Sequence, residues 1–152
     1  MPKNEAYTPL INEVLQKVSN AKTKAEKVKL LQEYNSDALR AVLIANFDES
    51  LECLLPEGEV PFTPNDAPVG TEHSTLAREH RILYNFYKGG NDGLNRVKRE
   101  QMFIQMLEGL SKDEAEVVCL MKDKQIGKRW KITRQCVEEA FPQIKWGVRG
   151  RK

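Results

Sequence analysis

Apolar residues recur at three- and four-residue spacing along most of this chain, and no useful length of it alternates with period two. A strand half-buried in a sheet needs that alternation; a helix packed on one face needs the longer period. The pattern predicts an all-α fold. Thr8-Pro9 offers a capping hydroxyl and then a proline whose missing N–H costs nothing in a first turn. Leu10, Ile11, Val14, Leu15 and Val18 then form one stripe, ending at Asn20. A second helix over Lys22–Tyr34 turns Ala25, Val28, Leu31 and Leu30 inward and a lysine-rich face to solvent. Ser36-Asp37 caps a third, with Leu39, Val42, Leu43 and Ala45 facing the core.

The later half continues in the same way. Leu76, Leu83 and Phe86 mark a helix from Ser74 or Thr75 to about Tyr87. Leu94, Val97, Met102, Phe103, Met106 and Leu107 mark a long one ending at Gly109. Ser111-x-x-Glu114 is a capping box, in which each side chain satisfies the other end's N–H, and Ala115, Val117, Val118, Leu120 and Met121 stand behind it. After a turn around Gly127, Thr133 opens a short helix through Ala140, stopped by Pro142. The expectation is about seven helices in a single compact domain over residues 1–144, followed by a basic flexible tail, 145–152.

Two stretches interrupt this pattern. Between about residues 47 and 72 stand Pro56, Pro61, Pro64 and Pro68 with Gly58 and Gly70, predicting one long proline-rich loop. Leu51, Leu54, Leu55, Val60 and Phe62 are placed to anchor it to the core. Lys88-Gly89-Gly90-Asn91-Asp92-Gly93 reads as a flexible break, a plain hinge.

With 152 residues, 40% of them hydrophobic, the chain can bury roughly two thirds of its unfolded surface without a staple. No apolar run approaches the roughly 18 residues that cross a bilayer, and the first residues lack the apolar stretch of a signal peptide. A soluble cytoplasmic protein without membrane partners is expected. Cys53, Cys119 and Cys136 form no Cys-x-x-Cys pair, and His73 and His80 stand seven apart, so neither a zinc site nor any other metal or cofactor is expected. Ser74 and Ser111 read as helix caps, Cys119 as a core residue, and the glycines around residue 90 lack the Lys-Ser/Thr of a phosphate loop. These patterns predict no enzyme.

Charge is distributed unevenly. Residues 121–152 carry ten Lys/Arg against Asp123, Glu138 and Glu139, a balance of +7, while the other 120 residues sum to −5. Such asymmetry points to an end that faces a polyanion.

Two segments carry a family resemblance. The first is Leu39-Arg40-Ala41-Val42-Leu43 with Ala45-Asn46-Phe47-Asp48, Leu51, Leu54 and Pro56. The second is Leu120-Met121-Lys122-Asp123-Lys124-Gln125-Ile126-Gly127, then Ile132, Val137, Ala140 and Phe141-Pro142. Together, over about 140 residues, they resemble the N-terminal helical DNA-binding domain of ATP-dependent DNA ligases, especially the short form in T-even phages. No Lys-x-Asp-Gly adenylation motif occurs. The resemblance therefore implies a DNA-gripping module without chemistry, a free-standing phage protein of DNA replication or repair in the host cytoplasm.

The residues expected to carry the grip are Lys122, Lys124, Gly127, Lys128, Arg129, Lys131, Thr133 and Arg134, with Arg149, Arg151 and Lys152 from the tail. Gly127 would let backbone come close, and the helix start at Thr133 would offer N–H groups to phosphate. Packing is the expected role of Trp130, with stacking the alternative. Backbone contacts carry little sequence information, so the expected partner is double-stranded DNA, intact or nicked, bound nonspecifically with micromolar or weaker affinity at physiological salt and falling steeply as salt rises. Two other readings compete. Ser111–Met121 and Thr133–Ala140 could form the helix-turn-helix of a transcriptional regulator, although their connection exceeds the usual three to four residues. The acidic run Asp48-Glu49-Ser50-Leu51-Glu52 and the proline-rich loop could instead dock a sliding clamp, another replication protein or a host protein.

Overall fold

Ile11, Val14, Leu15 and Val18 are buried along one face of α1 (Ile11–Asn20), as their spacing requires. The structure, a computed structural model, describes residues 9–58, 60–63 and 74–147. Thr8, Pro64, Pro68, Gly70 and His73 lie outside them, so the expected Thr8 cap does too. At the start of α1 the Leu10 N–H donates to Glu13 Oε1 at 2.8 Å. Thr23 Oγ1 caps α2 (Lys24–Glu33) by accepting the Glu26 N–H at 3.2 Å. Of its expected inward residues only Leu31 is fully buried; Val28 and Leu30 are half-buried and Ala25 is exposed. Helix α2 lies across α1 and the last helix, Arg134–Ala140, at the edge of the bundle, where a narrow stripe suffices.

The centre is α3 (Asp37–Phe47), capped by Ser36 Oγ on the Leu39 N–H at 3.1 Å. It packs against the helix Lys112–Lys122 on one side and the segment 76–86 on another. That segment is not the single helix expected. It splits into α4 (Leu76–Glu79) and a 3-10 helix, His80–Phe86. Three residues per turn stack Leu83 directly below Phe86, and both are buried. Beyond it the chain is drawn onto the proline-rich loop: Leu54 N–H donates to Phe86 O at 2.8 Å, Lys88 N–H to Glu52 O at 2.9 Å, and Cys53 bridges Tyr87. Leu55 is buried, and Leu51, Val60 and Phe62 pack against the core, so the described part of the loop is anchored as expected.

Asn95 Oδ1 caps α5 (Arg96–Gly109) on the Lys98 N–H at 2.8 Å. Phe103 of this helix meets Phe86 edge-on, with ring centroids 5.1 Å apart. Val97, expected inward, is exposed. The glycine-rich break before α5 is no hinge. The Arg99 guanidinium, buried, donates to the carbonyls of Asn85, Asn91 and Leu94 at 2.9, 3.1 and 2.9 Å and ties the turn to the core.

Ser111 Oγ accepts the Glu114 N–H at 3.2 Å and opens α6 (Lys112–Lys122). The turn around Gly127 is itself a short helix, α7 (Ile126–Arg129), and α8 (Arg134–Ala140) closes the bundle under the Thr133 cap. Among the described residues there are thus eight α-helices and one 3-10 helix in an all-α fold, against about seven expected. None of these helices is long and apolar enough to cross a membrane.

Candidate nucleic-acid interface

The segment from Lys122 to Arg134 is clamped from several sides. Helix α6 unwinds at Lys124, whose positive φ of 57° lets Gln125 N–H return to Leu120 O at 2.8 Å. Buried Asn46 Oδ1 then accepts the first N–H of α7, from Ile126, at 3.1 Å. Gly127 faces Ile132 and Phe47: a Cβ there would stand 3.2 Å from the Ile132 carbonyl oxygen and 3.8 Å from the Phe47 ring. The close approach expected of this glycine is present. Trp130 is buried and donates its indole N–H to Gln16 at 3.2 Å, so its role is packing. Ser19 Oγ accepts the Lys131 N–H at 2.9 Å, and Lys27 Nζ donates to the Lys131 carbonyl at 2.7 Å. The turn is held between α3 and the α1–α2 pair.

The expected cationic ridge is narrower than its sequence. Lys122 is buried, and its ammonium donates to Pro56 O at 2.7 Å, Gly58 O at 3.1 Å and Asp123 Oδ1 at 2.7 Å. It fastens the proline-rich loop and offers nothing to a ligand. Lys124 Nζ donates to Asp48 O at 2.7 Å. Arg134 pairs with Glu49 and, at 2.9 Å, with Glu138, and lies 4.7 Å over the Trp146 ring. Thr133 Oγ1 accepts the Cys136 N–H at 3.3 Å, which takes up one of the N–H groups expected to face phosphate at the start of the seven-residue α8. Arg129 lies 4.8 Å over Trp130 and 3.6 Å from Glu116. The side chains of Lys128 and Lys131 are exposed, and their ammonium groups have no partner among the described residues. Arg149, Arg151 and Lys152 lie outside the described residues. The start of the expected flexible tail is tied down, with Trp146 packed on the core and the Gly147 N–H donating to Asp48 at 3.2 Å.

Sequence reasoning missed two neighbours of this turn. Lys27 reaches Lys131, as above, and Lys17 lines the shallow cleft that holds Arg129 and Trp130, together with Glu13, Asp113 and Glu116. Lys27 belongs to the lysine-rich face of α2, which reads in sequence as ordinary solvated surface, and Lys17 is the single lysine of α1. Nothing local signals that these side chains come beside residues 129–131.

The competing sites change as well. Of the acidic run, Asp48 is fully buried and Glu49 is paired with Arg134, while Glu52 stays exposed 4.0 Å from an exposed Lys88. Helix α8 packs on α2 and exposes Gln135, Glu138 and Glu139, a poor surface for a recognition helix beside phosphate. Burial pushes the Cys119 thiol up to about 11 and raises that of Cys53, which keeps both protonated and unreactive near neutral pH. Cys119 itself is half-buried rather than a full core residue. Among the described residues no three of His, Cys, Asp and Glu come together as a metal site would need.

A family of unknown function (DUF6433) matches residues 14–128, well over half the chain, and the protein belongs to it. The matched span runs from within α1 to α7 and leaves α8 outside. No curated protein and no solved structure matches the chain.

Proposed function

We propose that this member of the DUF6433 family binds double-stranded DNA through its sugar-phosphate backbone and catalyses no reaction. The observation that carries the reading is the pair of free ammonium groups, those of Lys128 and Lys131 among the described residues, flanking Arg129 on a turn that α1, α2 and α3 hold rigid. Lys17 and Lys27 add charge beside them. The sequence resemblance to ligase DNA-binding domains and the excess of basic residues after Met121 support the same reading. Cations in fixed positions, without base-reading side chains, position a duplex and do not select its sequence. The acids in the adjacent cleft, Glu13, Asp113 and Glu116, keep the grip weak. A role in phage DNA replication or repair, in the host cytoplasm, accords with such a module.

The test is polarisation of a labelled duplex, intact and nicked, over a salt series. Binding is expected in the micromolar range at low salt, with log K falling linearly as log salt rises. Replacing Lys128 and Lys131 by alanine should weaken binding to all sequences alike and reduce the salt slope by about 2. No binding at low salt, or an unchanged slope in the double variant, overturns the reading.

A further inference from the structure

Of the three cations at residues 128–131, Arg129 is the one whose side chain the fold positions. It ends α7, beside the buried Trp130, and its guanidinium lies 4.8 Å over the indole ring. That ring is itself fixed by the bond from its N–H to Gln16. A planar cation stacked on an immobile ring loses little further freedom when its N–H groups are used.

The group that holds this guanidinium is the Glu116 carboxylate. Its Oε2 lies 3.6 Å from Arg129 Nε, and each side chain keeps 47% of its surface exposed. Glu116 stands on α6 three positions after Asp113, and both line the cleft beside Arg129 and Lys17. Glu13, the third acid of the cleft, accepts the Leu10 N–H at the start of α1. Among the described residues Glu116 is the ion-pair partner of Arg129.

We infer that Glu116 is an autoinhibitory contact: it stands in for a backbone phosphate on Arg129 and keeps that arginine out of the grip on duplex DNA. This rests on the reading of the turn as a duplex-binding surface and identifies what limits its affinity. A carboxylate and a phosphate offer a guanidinium the same fork of oxygens, so the two compete for one set of N–H groups. The Glu116–Arg129 pair presents no net charge to the duplex, which leaves the Lys128 and Lys131 ammonium groups to carry the contact. An exposed pair of this kind is weak, worth at most about fivefold in an equilibrium constant, so the restraint is a modest one.

The test is polarisation of a labelled duplex over a salt series. Glu116→Gln should bind about fivefold more tightly than the parent at low salt. Its log K should fall about one unit more steeply with log salt, because Arg129 then neutralises one more phosphate. Glu116→Gln with Arg129→Gln removes a neutral pair and should return to within about twofold of the parent. Glu100→Gln releases Arg96 on α5 from a similar exposed pair and should bind as the parent does. Circular dichroism should show the parent's helix content in all three. The inference is overturned if Glu116→Gln binds no more tightly, if Glu100→Gln gains as much, or if the double variant keeps the gain. Any of these results in a protein that binds duplex rejects the Glu116 contact alone. No duplex binding by the parent and Glu116→Gln alike rejects the DNA reading, and the contact with it.

Discussion

The Glu114 carboxylate accepts the main-chain N–H of Ile11 at 3.1 Å across 103 positions of sequence. Its other oxygen takes the N–H of Leu76 at 3.0 Å. One buried side chain on the first turn of α6 thus satisfies orphan donors at the starts of α1 and α4 and fixes where three helices begin. Glu114→Ala should cost about 3–5 kcal/mol, because both donors lose a charged acceptor inside the protein. Glu114→Gln should not rescue it, since the amide –NH2 would face one of the two N–H groups. Urea denaturation measures both; a loss below about 1 kcal/mol for the alanine variant contradicts the junction.

Lys122 makes a contrasting case, a cation whose position suggests DNA and whose surroundings assign it to the loop. Lys122→Met should destabilise the fold by about 3 kcal/mol, leaving Asp123 and two carbonyls without their partner. Hydrogen exchange should accelerate around Gly58, while duplex affinity changes less than twofold in whatever fraction remains folded. A large loss of affinity in folded protein would return Lys122 to the interface.

The glycine turn offers a paired comparison. Gly90→Ala forces a Cβ into the Tyr84 carbonyl and should cost about 3 kcal/mol, since backbone and not a flexible side chain must move. Gly93→Ala meets nothing within 4 Å, and Gly93 has no positive φ, so it should be neutral or stabilise by about 0.5 kcal/mol. Thermal melts of the two variants separate steric cost from chain entropy; equal shifts would refute the close packing of Gly90.

Cys119 links stability to alkaline pH. Burial raises its pKa from 9.0 to about 11, so between those values the unfolded chain loses its thiol proton first. Stability contributed by the protonated thiol is complete below pH 9 and falls as pH rises towards 11. The parent protein should therefore lose more of its urea midpoint over that interval than Cys119→Ala does. Parallel curves would mean that the thiol is solvated.

Ser36, Ser111 and Thr133 were legible as helix starts because a cap is a contact within three residues, and the apolar stripes of α1, α3 and α6 because burial follows helical period. Residues 74–87 misled because spacings of three suit both α and 3-10 winding, and the contacts of Leu54 and Lys88 with that segment come from far along the chain. The basic residues after Met121 could be counted but not assigned.

Sequence alone therefore determined the helical class, most helix boundaries, the anchoring of the proline-rich loop and the sign of charge at the C-terminal end. Tertiary structure decided that Lys122 holds a loop, that Arg134 is matched by Glu49, and that Lys27 stands beside Lys131. The physical reason is range. Backbone conformation answers to neighbours a few positions away, whereas the availability of a charge depends on which distant carbonyl or carboxylate the fold brings within about 4 Å of it.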